Sequence, residues 1–481
     1  MTVVAEQRPR EFEMEKVVPA VGPVEKRHTV SLWFYLAGAL AFLIGCYLLF
    51  MEDGSQPRTV LPTLSPRTEL IEGSSIHTAR LDLVDAVRVA GVTQAAGDNA
   101  AERPFSNEFV ESVWRDAEAA GVQRATFDRA FNGQRSSDPE VIALSTRQPE
   151  FDRTVGDYVS MIVNADRVAV GRARLEQQSV ILDGIERRYG VDRAILLAIW
   201  GIESNFGLAK GDRSVIRSLA TLASADVRRA AFWRSELTAA LTIVEQTKIP
   251  AERMLGSWAG AMGHTQFMPS TYVKYGVDFD GDGVRDIWTS VPDALASSAR
   301  YLQASGWVAG RPWGREVVLP RSFDFGSATP GGGRVITAWR VLGVKAQMGA
   351  LPNDDGAIWQ LVTPAGADGP AFLVSSNFDA LLSYNRAYSY AVAVGALADT
   401  IAGHGGIQTA WPTTDLPMSR DQRIELQEIL VSLGFDTGGI DGMLGTKSRE
   451  AIRAFQKIKG MATDGHPSLV LLTRMRSERR L

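Results

Sequence analysis

The hydropathy pattern begins with an apolar run over residues 31–51, SLWFYLAGALAFLIGCYLLFM, which no charged residue interrupts. A helix of about 20 apolar residues spans a bilayer. Lys26 and Arg27 precede the run, while Glu52 and Asp53 follow it. Because positive charge favours the cytoplasmic side, the pattern predicts a membrane anchor with its N-terminus in the cytoplasm and everything after the run outside.

The same run has a second interpretation as a lipoprotein signal. Leu43-Ile-Gly-Cys46 looks like a bacterial lipobox, and Cys46 is the only cysteine of the chain. Cleavage there would leave a lipid on Cys46. The apolar residues Tyr47–Phe50 and the long leading segment favour the uncleaved anchor instead. Both alternatives tether the bulk of the chain to a membrane of the bacterial cell envelope.

Polarity and periodicity divide the rest of the chain into segments. We expect a disordered cytoplasmic tail where charge is high and periodicity absent, and spacers where Pro, Gly, Ser and Thr are dense. The predicted boundaries are a tail over 1–30, a spacer over 52–103, a large domain over 104–402, a linker over 403–418 and a small unit over 419–477.

Helical spacing dominates the large domain. Phe109, Val113 and Ala117 recur at this spacing, and similar segments run to residue 310 and over 386–402. Between about 315 and 375, short β-branched runs such as Arg334-Val-Ile-Thr337 predict small strands. The pattern therefore predicts a mainly α fold (α+β) with small β elements.

One predicted helix, Arg193–Glu203, is apolar on almost every side, as buried helices are. Asp192 can cap its start, and Gly207 lies just past its end. Glu203 would occupy the last turn, where burial and the negative end of the helix dipole both raise a carboxyl pKa. Such an acid can hold a proton and deliver it to a leaving oxygen. The alternative is a core ion pair with an arginine.

Residues 257–272, SWAGAMGHTQFMPSTY, are dense in small side chains that allow close approach to a ligand. Glu-Ser-Asn-Phe-Gly at 203–207 followed by Gly-Ala-Met-Gly-x-x-Gln-Phe-Met-Pro-Ser at 260–270 resembles the B-type lytic murein transglycosylases. The resemblance covers roughly residues 105–402.

That resemblance implies a lysozyme-like catalytic domain that acts on peptidoglycan glycan strands without a catalytic cofactor. Glu203 would protonate the oxygen between N-acetylmuramic acid and N-acetylglucosamine. It would then take the proton of the muramyl 6-hydroxyl, which closes to a 1,6-anhydro end. Two alternatives stay open: a hydrolytic muramidase with Asp212 or Asp226 as second acid, and a non-catalytic wall-binding scaffold.

Further site residues follow from the same motifs. SYNRAYSY at 383–390 resembles the family's late Tyr-Asn motif that lines the cleft, although a structural turn with surface aromatics is the alternative. Gln266 would bind sugar or orient the glutamate. The predicted substrate-binding residues are Ser204, Asn205, Ser257, Gln266, Tyr272, Tyr384, Asn385 and Tyr390.

The stretch Asp278-Phe-Asp-Gly-Asp-Gly-Val-Arg-Asp286 matches the start of an EF-hand loop, with Gly283 at the sharp turn. Position 12 carries Thr289 where a bidentate Glu is typical, which weakens the match. The alternative is a metal-free Asp/Gly hairpin. The predicted Ca²⁺ ligands are Asp278, Asp280, Asp282, the Val284 carbonyl and Asp286, in a structural role.

The C-terminal unit opens with a capping box at Ser419–Gln422. Two helices follow, with the apolar stripes Leu426, Leu430, Leu433 and Ala451, Ile452, Phe455, and Asp464-Gly465 echoes Asp441-Gly442. The unit resembles the common three-helix peptidoglycan-binding domain. Such a domain would hold the enzyme on its insoluble substrate.

Composition and the absence of certain motifs argue against several other classes of function. The 481 residues carry a net charge of −4, which gives no electrostatic footprint for nucleic acid. The five histidines form no His-x-x-x-His zinc pair, and neither a Gly-x-Ser-x-Gly elbow nor a phosphate loop is present. Other cell-wall enzymes are further candidate partners.

Overall fold

The computed structural model describes residues 102–146, 153–247, 249–328 and 332–478. The predicted tail, the apolar run 31–51, Cys46 and nearly all of the spacer lie outside these residues. Within the described ranges, no helix is both long and apolar enough to cross a membrane.

The large domain is mainly helical, as predicted. Its first half contains α1 (Asn107–Ala119), α2 (Arg124–Ala130), α3 (Pro139–Thr146), α4 (Val155–Ile162), α5 (Ala165–Gln177), α6 (Ser179–Tyr189) and α7 (Arg193–Ser204). Its second half contains α8 (Val215–Ala225), α9 (Ala230–Gln246), α10 (Pro269–Tyr275), α11 (Val291–Ala304), α12 (Ile336–Val341), α13 (Ser376–Tyr384) and α14 (Tyr388–Ile401).

Helix α7 runs through the middle of this domain. The Asp192 side chain accepts a hydrogen bond from the Ala194 N–H at 2.7 Å, so the predicted N-cap is confirmed. Every residue from Ala194 to Ser204 is buried, because the helix is apolar on all sides. Helix α14 packs along α7, α4 and α5, which brings the late Tyr-Asn segment to the end of α7.

The β elements are small. A two-residue pair joins β1 (Arg213–Ser214) to β2 (Leu255–Gly256). A second, antiparallel sheet has the order β4-β3-β6-β5, with β3 (Gly314–Val318), β4 (Lys345–Ala346), β5 (Gln360–Val362) and β6 (Ala371–Val374). In its register Gly314 lies opposite Val374, and a separate apolar cluster around Trp339 and Trp359 covers the sheet.

The strand predicted at 334–337 is wrong. Only Arg334 makes an isolated bridge, to Trp359, and α12 begins two residues later. The reason is burial, since a helical turn places both Ile336 and Trp339 in the core beneath the sheet. Tertiary packing here outweighs the β-branched preference of the segment.

The C-terminal unit consists of α15 (Arg420–Ser432), α16 (Thr446–Ile458) and α17 (Leu469–Glu478) around its own core. The capping box at Ser419 and Gln422 is confirmed. Leu433 was predicted in the buried stripe but is 47% exposed, since the helix ends before it and Ile429 is buried instead.

The weak Asp-Gly repeat has a structural basis in this unit. The Gln427 side-chain carbonyl accepts from the N–H groups of Asp441 (3.1 Å) and Gly442 (2.7 Å). The Gln456 carbonyl accepts from Gly465 at 2.9 Å in the same manner. A buried glutamine on each of two helices therefore holds one Asp-Gly turn.

Candidate active site

Glu203 lies in the last turn of α7 and is 0% exposed, as the apolar pattern predicts. The hydroxyl of Tyr390, in the first turn of α14, donates to its Oε1 at 2.8 Å. Tyr390 is also 0% exposed. A buried carboxyl at the negative end of a helix thus receives a hydrogen bond from a residue 187 positions away.

The backbone turns sharply after this carboxyl. Asn205 and Phe206 adopt φ values of 48° and 57°, and Gly207 follows at 88°. Left-handed backbone is costly for residues with a Cβ and concentrates at functional sites. A Cβ at Gly207 would lie 2.4 Å from Cε1 of His264, so only glycine fits there.

Ser204 joins this turn to the small-residue stretch. Its hydroxyl donates to the His264 carbonyl at 2.6 Å and accepts from the Gly207 N–H at 3.0 Å. The hydroxyl is therefore occupied within the protein. The structure gives Ser204 a scaffolding role, and the contact with substrate stays a prediction.

His264 contacts α7 through Trp200. The Trp200 indole N–H donates to its Nδ1 at 3.0 Å, which places the ring proton on Nε2. Burial, with a smaller effect from the charge of Lys210, lowers the pKa of His264 to about 4. The ring is therefore neutral near pH 7. The stretch 257–272 contained this residue, but only the fold shows its partners.

Gln266 has an unusual backbone and an unsatisfied side chain. Its φ is 50°, and its amide donates to the carbonyls of Gly263 (2.8 Å) and Lys210 (3.1 Å). Among the described residues, its buried Oε1 has no hydrogen-bond partner, and the same holds for Thr265 Oγ1 and Asn385 Nδ2. Buried polar atoms of this kind are usually satisfied by water or a ligand.

Tyr384 and Tyr390 stack with a ring-centroid separation of 6.4 Å and an interplanar angle of 12°. The Tyr384 hydroxyl donates to the Thr265 carbonyl at 2.8 Å and lies 3.2 Å from Ser298 Oγ. Burial, and then the nearby Glu203 charge, raise the pKa of both phenols well above 10. Both are therefore neutral donors, and the alternative of surface aromatics is wrong.

Ser257 and Tyr272 are the first and last residues of the small-residue stretch, and both are buried. Ser257 Oγ accepts from the Ala261 N–H at 3.0 Å and closes a tight turn. The Tyr272 hydroxyl donates to the Arg285 carbonyl at 2.5 Å, and burial raises its pKa. Their predicted contacts with substrate stay predictions, because the bonds seen here hold backbone segments together.

Asp226, a candidate second acid, is tied up in a local network. Its Oδ2 accepts from Arg229 Nε (2.6 Å) and Trp233 Nε1 (3.1 Å). Burial alone would raise the pKa of Asp226, but the hydrogen bonds from Trp233 and Arg229 lower it. It is therefore a paired carboxylate at the C-terminal end of α8. Asp212, the other candidate, is exposed.

Three carboxylates gather in the predicted metal loop. One oxygen each of Asp278, Asp280 and Asp282 lies within 4.8 Å of the others. Asp286, also a predicted ligand, is not in this group, because its oxygens accept from the Trp288 N–H (2.8 Å) and from Arg253 (3.1 Å).

The donor set nevertheless suits calcium. Oxygen ligands on a short flexible loop are typical of Ca²⁺ sites. Val284 donates its N–H to Asp282 at 2.7 Å, and its carbonyl as a ligand stays a prediction. Asp293, which the sequence analysis missed, accepts from the N–H groups of Phe279 (2.7 Å) and Asp286 (2.8 Å) and so shapes the loop.

The end of this loop reaches the active site. The His264 N–H donates to the Ile287 carbonyl at 2.9 Å, and Lys210 Nζ donates to the Trp288 carbonyl at 2.6 Å. A cation on the loop would therefore steady the backbone that carries His264 and Gln266.

Comparison with known proteins decides the family. A family profile described as "Transglycosylase SLT domain" matches residues 105–399. The chain belongs to this family. In this SLT transglycosylase, a second profile described as "Putative peptidoglycan binding domain" matches residues 419–475.

Solved structures resemble the SLT transglycosylase along most of their length. SltB3 from Pseudomonas aeruginosa, crystallised in complex with NAG-anhNAM-pentapeptide, is 48% identical, with a TM-score of 0.73 over 77% of this chain and 98% of that one. Slt35 from Escherichia coli, in complex with calcium, is 26% identical, with a TM-score of 0.52 over 65% of this chain and 99% of that one.

A curated lytic transglycosylase is also similar to this chain. The membrane-bound lytic murein transglycosylase B of Escherichia coli (strain K12) is 32% identical over 251 residues, which are 51% of this chain. The SLT transglycosylase spans 66% of the length of that relative. These likenesses confirm the predicted lysozyme-like, mainly helical fold and the predicted family.

Proposed function

We propose that this SLT transglycosylase cleaves the β-1,4 bond between N-acetylmuramic acid and N-acetylglucosamine in peptidoglycan, with Glu203 as its only acid and base. The observation that carries the proposal is the buried Glu203 carboxyl at the end of α7, held by the Tyr390 hydroxyl. SltB3, at 48% identity, was crystallised with a fragment whose name includes anhydromuramic acid, the product class of this reaction.

The reaction proceeds in two proton transfers. The Glu203 proton moves to the glycosidic oxygen while the bond from that oxygen to the muramyl anomeric carbon breaks. The muramyl 6-hydroxyl oxygen then bonds to the same carbon, and its proton returns to Glu203. Atoms balance without water, so no second carboxylate is required, unlike in most glycosidases.

The surrounding residues have separate tasks. Tyr390 stabilises the carboxylate that forms when the proton leaves, and it fixes the orientation of the group. Gln266 Oε1 and Asn385 Nδ2, which are buried without partners among the described residues, offer one acceptor and one donor to sugar hydroxyl or acetamido groups. Asn205 follows Glu203 by two residues on the strained turn.

The same proposal places the enzyme in the cell envelope. Residues 31–51 would anchor it in the inner membrane, or a lipid on Cys46 would do so, and the C-terminal unit would hold the insoluble wall. The intact mass of the mature protein separates the two anchors. The uncleaved form keeps residues 1–45, while a lipoprotein starts at Cys46 with added acyl mass.

We further propose Ca²⁺ as a structural ion on Asp278, Asp280 and Asp282. When bound, it neutralises three carboxylates that otherwise repel one another. It takes no part in the proton transfers.

Substitution of Glu203 by Gln tests the catalytic assignment. We expect the release of anhydromuropeptides from purified peptidoglycan to fall by at least about 100-fold, because general acid catalysis typically contributes 10²- to 10⁴-fold. The matched control is Glu236→Gln, at a buried glutamate that accepts from Ser270 N (3.0 Å) and Oγ (2.6 Å).

The control variant is expected to lose stability but keep the chemistry. Both variants should still sediment with insoluble peptidoglycan through the C-terminal unit. Undiminished turnover by the Glu203→Gln protein would remove Glu203 from the mechanism and favour a scaffold role for its helix.

A further inference from the structure

A cavity of about 430 Å³ lies beside the four-stranded sheet, at the opposite end of α13 from Tyr384. The elements that form it are β5, the end of β6, the start of α13 and the loop before β5. Its walls combine apolar and charged side chains, among them Arg311, Asp355, Ile358, Val374, Ser376 and Asp379. Neither the proton transfers nor the peptidoglycan-binding unit uses this cavity.

Asp379 is the unusual group in the cavity. It is half-buried, and within the described part of the chain its carboxylate accepts no hydrogen bond and joins no ion pair. Burial raises its pKa to about 6. Asp379 lies in the first turn of α13, and a half-buried carboxylate without an ion-pair partner can accept a cationic group from a ligand.

Arg311 supplies the opposite charge. One of its terminal nitrogens lies 2.7 Å from Asp355, whose side chain is 52% exposed, and the other lies 3.4 Å from Ser376 Oγ. An exposed ion pair of this kind contributes little, so a ligand carboxylate can share or replace it. Ser376 opens α13, and the positive end of the helix dipole also favours an anion there.

The distance to the active site suits a peptide. Asp379 precedes Tyr384 by five residues on one helix, which corresponds to about 7.5 Å along the helix axis, and the full α13 is about 13 Å long. Four extended peptide residues also span about 13 Å. The length of a four-residue peptide stem therefore matches the length of the helix that separates Tyr384 from the cavity.

We propose that this cavity binds the zwitterionic side-chain end of a diamino-dicarboxylic acid in the peptide stem of peptidoglycan. The ammonium group pairs with Asp379, and the carboxylate binds Arg311 and Ser376 at the start of α13. The apolar wall formed by Ile358 and Val374 accommodates the intervening methylene groups. The inference rests on the proposed function and extends it from the glycan to the stem.

The first test compares two substrates with the full-length protein. Strands that carry diaminopimelate-containing stems and the same strands stripped of peptide are digested by the native protein and by Asp379→Asn. We expect kcat/KM on the peptide-bearing strands to fall about tenfold or more, since bonds to charged groups contribute on that scale. Turnover of the stripped strands is expected to stay unchanged.

The matched control is Asp368→Asn, at an exposed acid on the loop between β5 and β6 that does not line the cavity. It is expected to leave both activities unchanged. Arg311→Gln is a second cavity variant and should show the same loss confined to peptide-bearing strands. Because Asp379→Asn removes a buried charge, its melting temperature at pH 7 should rise, which excludes misfolding as the cause of weaker turnover.

Equilibrium binding makes the inference independent of catalysis. The probe is the disaccharide GlcNAc-MurNAc with a diaminopimelate-containing tetrapeptide, titrated against native protein and Asp379→Asn. Acetylation of the free amine of the probe should weaken binding to the native protein about as much as the substitution does. Equal losses on stripped and peptide-bearing strands, or unchanged affinity for the tetrapeptide probe, would overturn the inference. Absence of anhydro ends from any substrate would instead reject the proposed reaction.

Discussion

The hydrogen bond from Tyr390 to Glu203 gives the sharpest prediction. In Tyr390→Phe the ring stays in place and only the donor is lost. Both side chains are 0% exposed and the bond is 2.8 Å long, so solvent does not replace it readily. Hydrogen bonds to charged groups contribute about 1.5–3 kcal/mol. A loss of that size in the transition state lowers kcat roughly 10- to 150-fold.

The pH dependence should change as well. Because the phenol stabilises the carboxylate form, its removal raises the pKa of Glu203. The enzyme must start with the protonated acid, so the alkaline limb of the kcat/KM profile moves to higher pH. The assay is chromatographic release of anhydromuropeptides from solubilised strands, at saturating and limiting substrate, across the pH range.

Tyr384→Phe is the matched comparison. That hydroxyl donates to the Thr265 carbonyl at 2.8 Å, so its loss should lower stability by about 1 kcal/mol. The alkaline limb of its profile should stay near that of the native protein. A Tyr390→Phe enzyme with native kcat and an unmoved limb, or equal shifts in both variants, would refute the reasoning.

Three other outcomes follow from the structure. Gly121→Ala, at a similar φ but with open space around the added Cβ, should cost roughly 1–2 kcal/mol of stability through left-handed strain alone. Gly207→Ala should cost clearly more in urea denaturation, and equal losses would contradict a clash with His264. Because burial lowers the pKa of His264 to about 4, the native protein should lose up to about 3 kcal/mol of stability as pH falls from about 6.5 to about 4. His264→Gln should abolish this pH-dependent loss, and a stability difference between the two proteins that does not change with pH would contradict the prediction. The melting temperature of the native protein should be higher with calcium than with a chelator, and this increase should be smaller in Asp280→Asn and larger in Thr289→Glu. An identical increase in the native protein and both variants would reject the loop as the calcium site.

The sequence predicted what depends on local pattern. The apolar faces around Glu203, the Asp192 cap and the Ser419–Gln422 capping box follow from spacing within a few residues, and all appear in the structure. The motif at 260–270 led to the family because its residues are contiguous in the chain.

Long-range partners were harder to foresee. Tyr390 reaches Glu203 across 187 residues only because α14 packs on α7, and periodicity carries no signal for that pairing. The segment 334–337 shows the reverse case, where local preference favoured a strand and the core selected a helix. No sequence pattern singled out Asp379, since only the folded structure shows that its carboxylate has no hydrogen bond or ion pair among the described residues.

The central claim is that one acid cleaves the glycan without water. Purified peptidoglycan digested by the native protein in water labelled with oxygen-18 tests it most directly. The account predicts that the native protein forms muramyl ends that are one water lighter than reducing ends and that contain no oxygen-18. The Glu203→Gln protein should form neither anhydro ends nor reducing ends. Reducing muramic acid ends that contain oxygen-18 would contradict it and identify a hydrolytic muramidase.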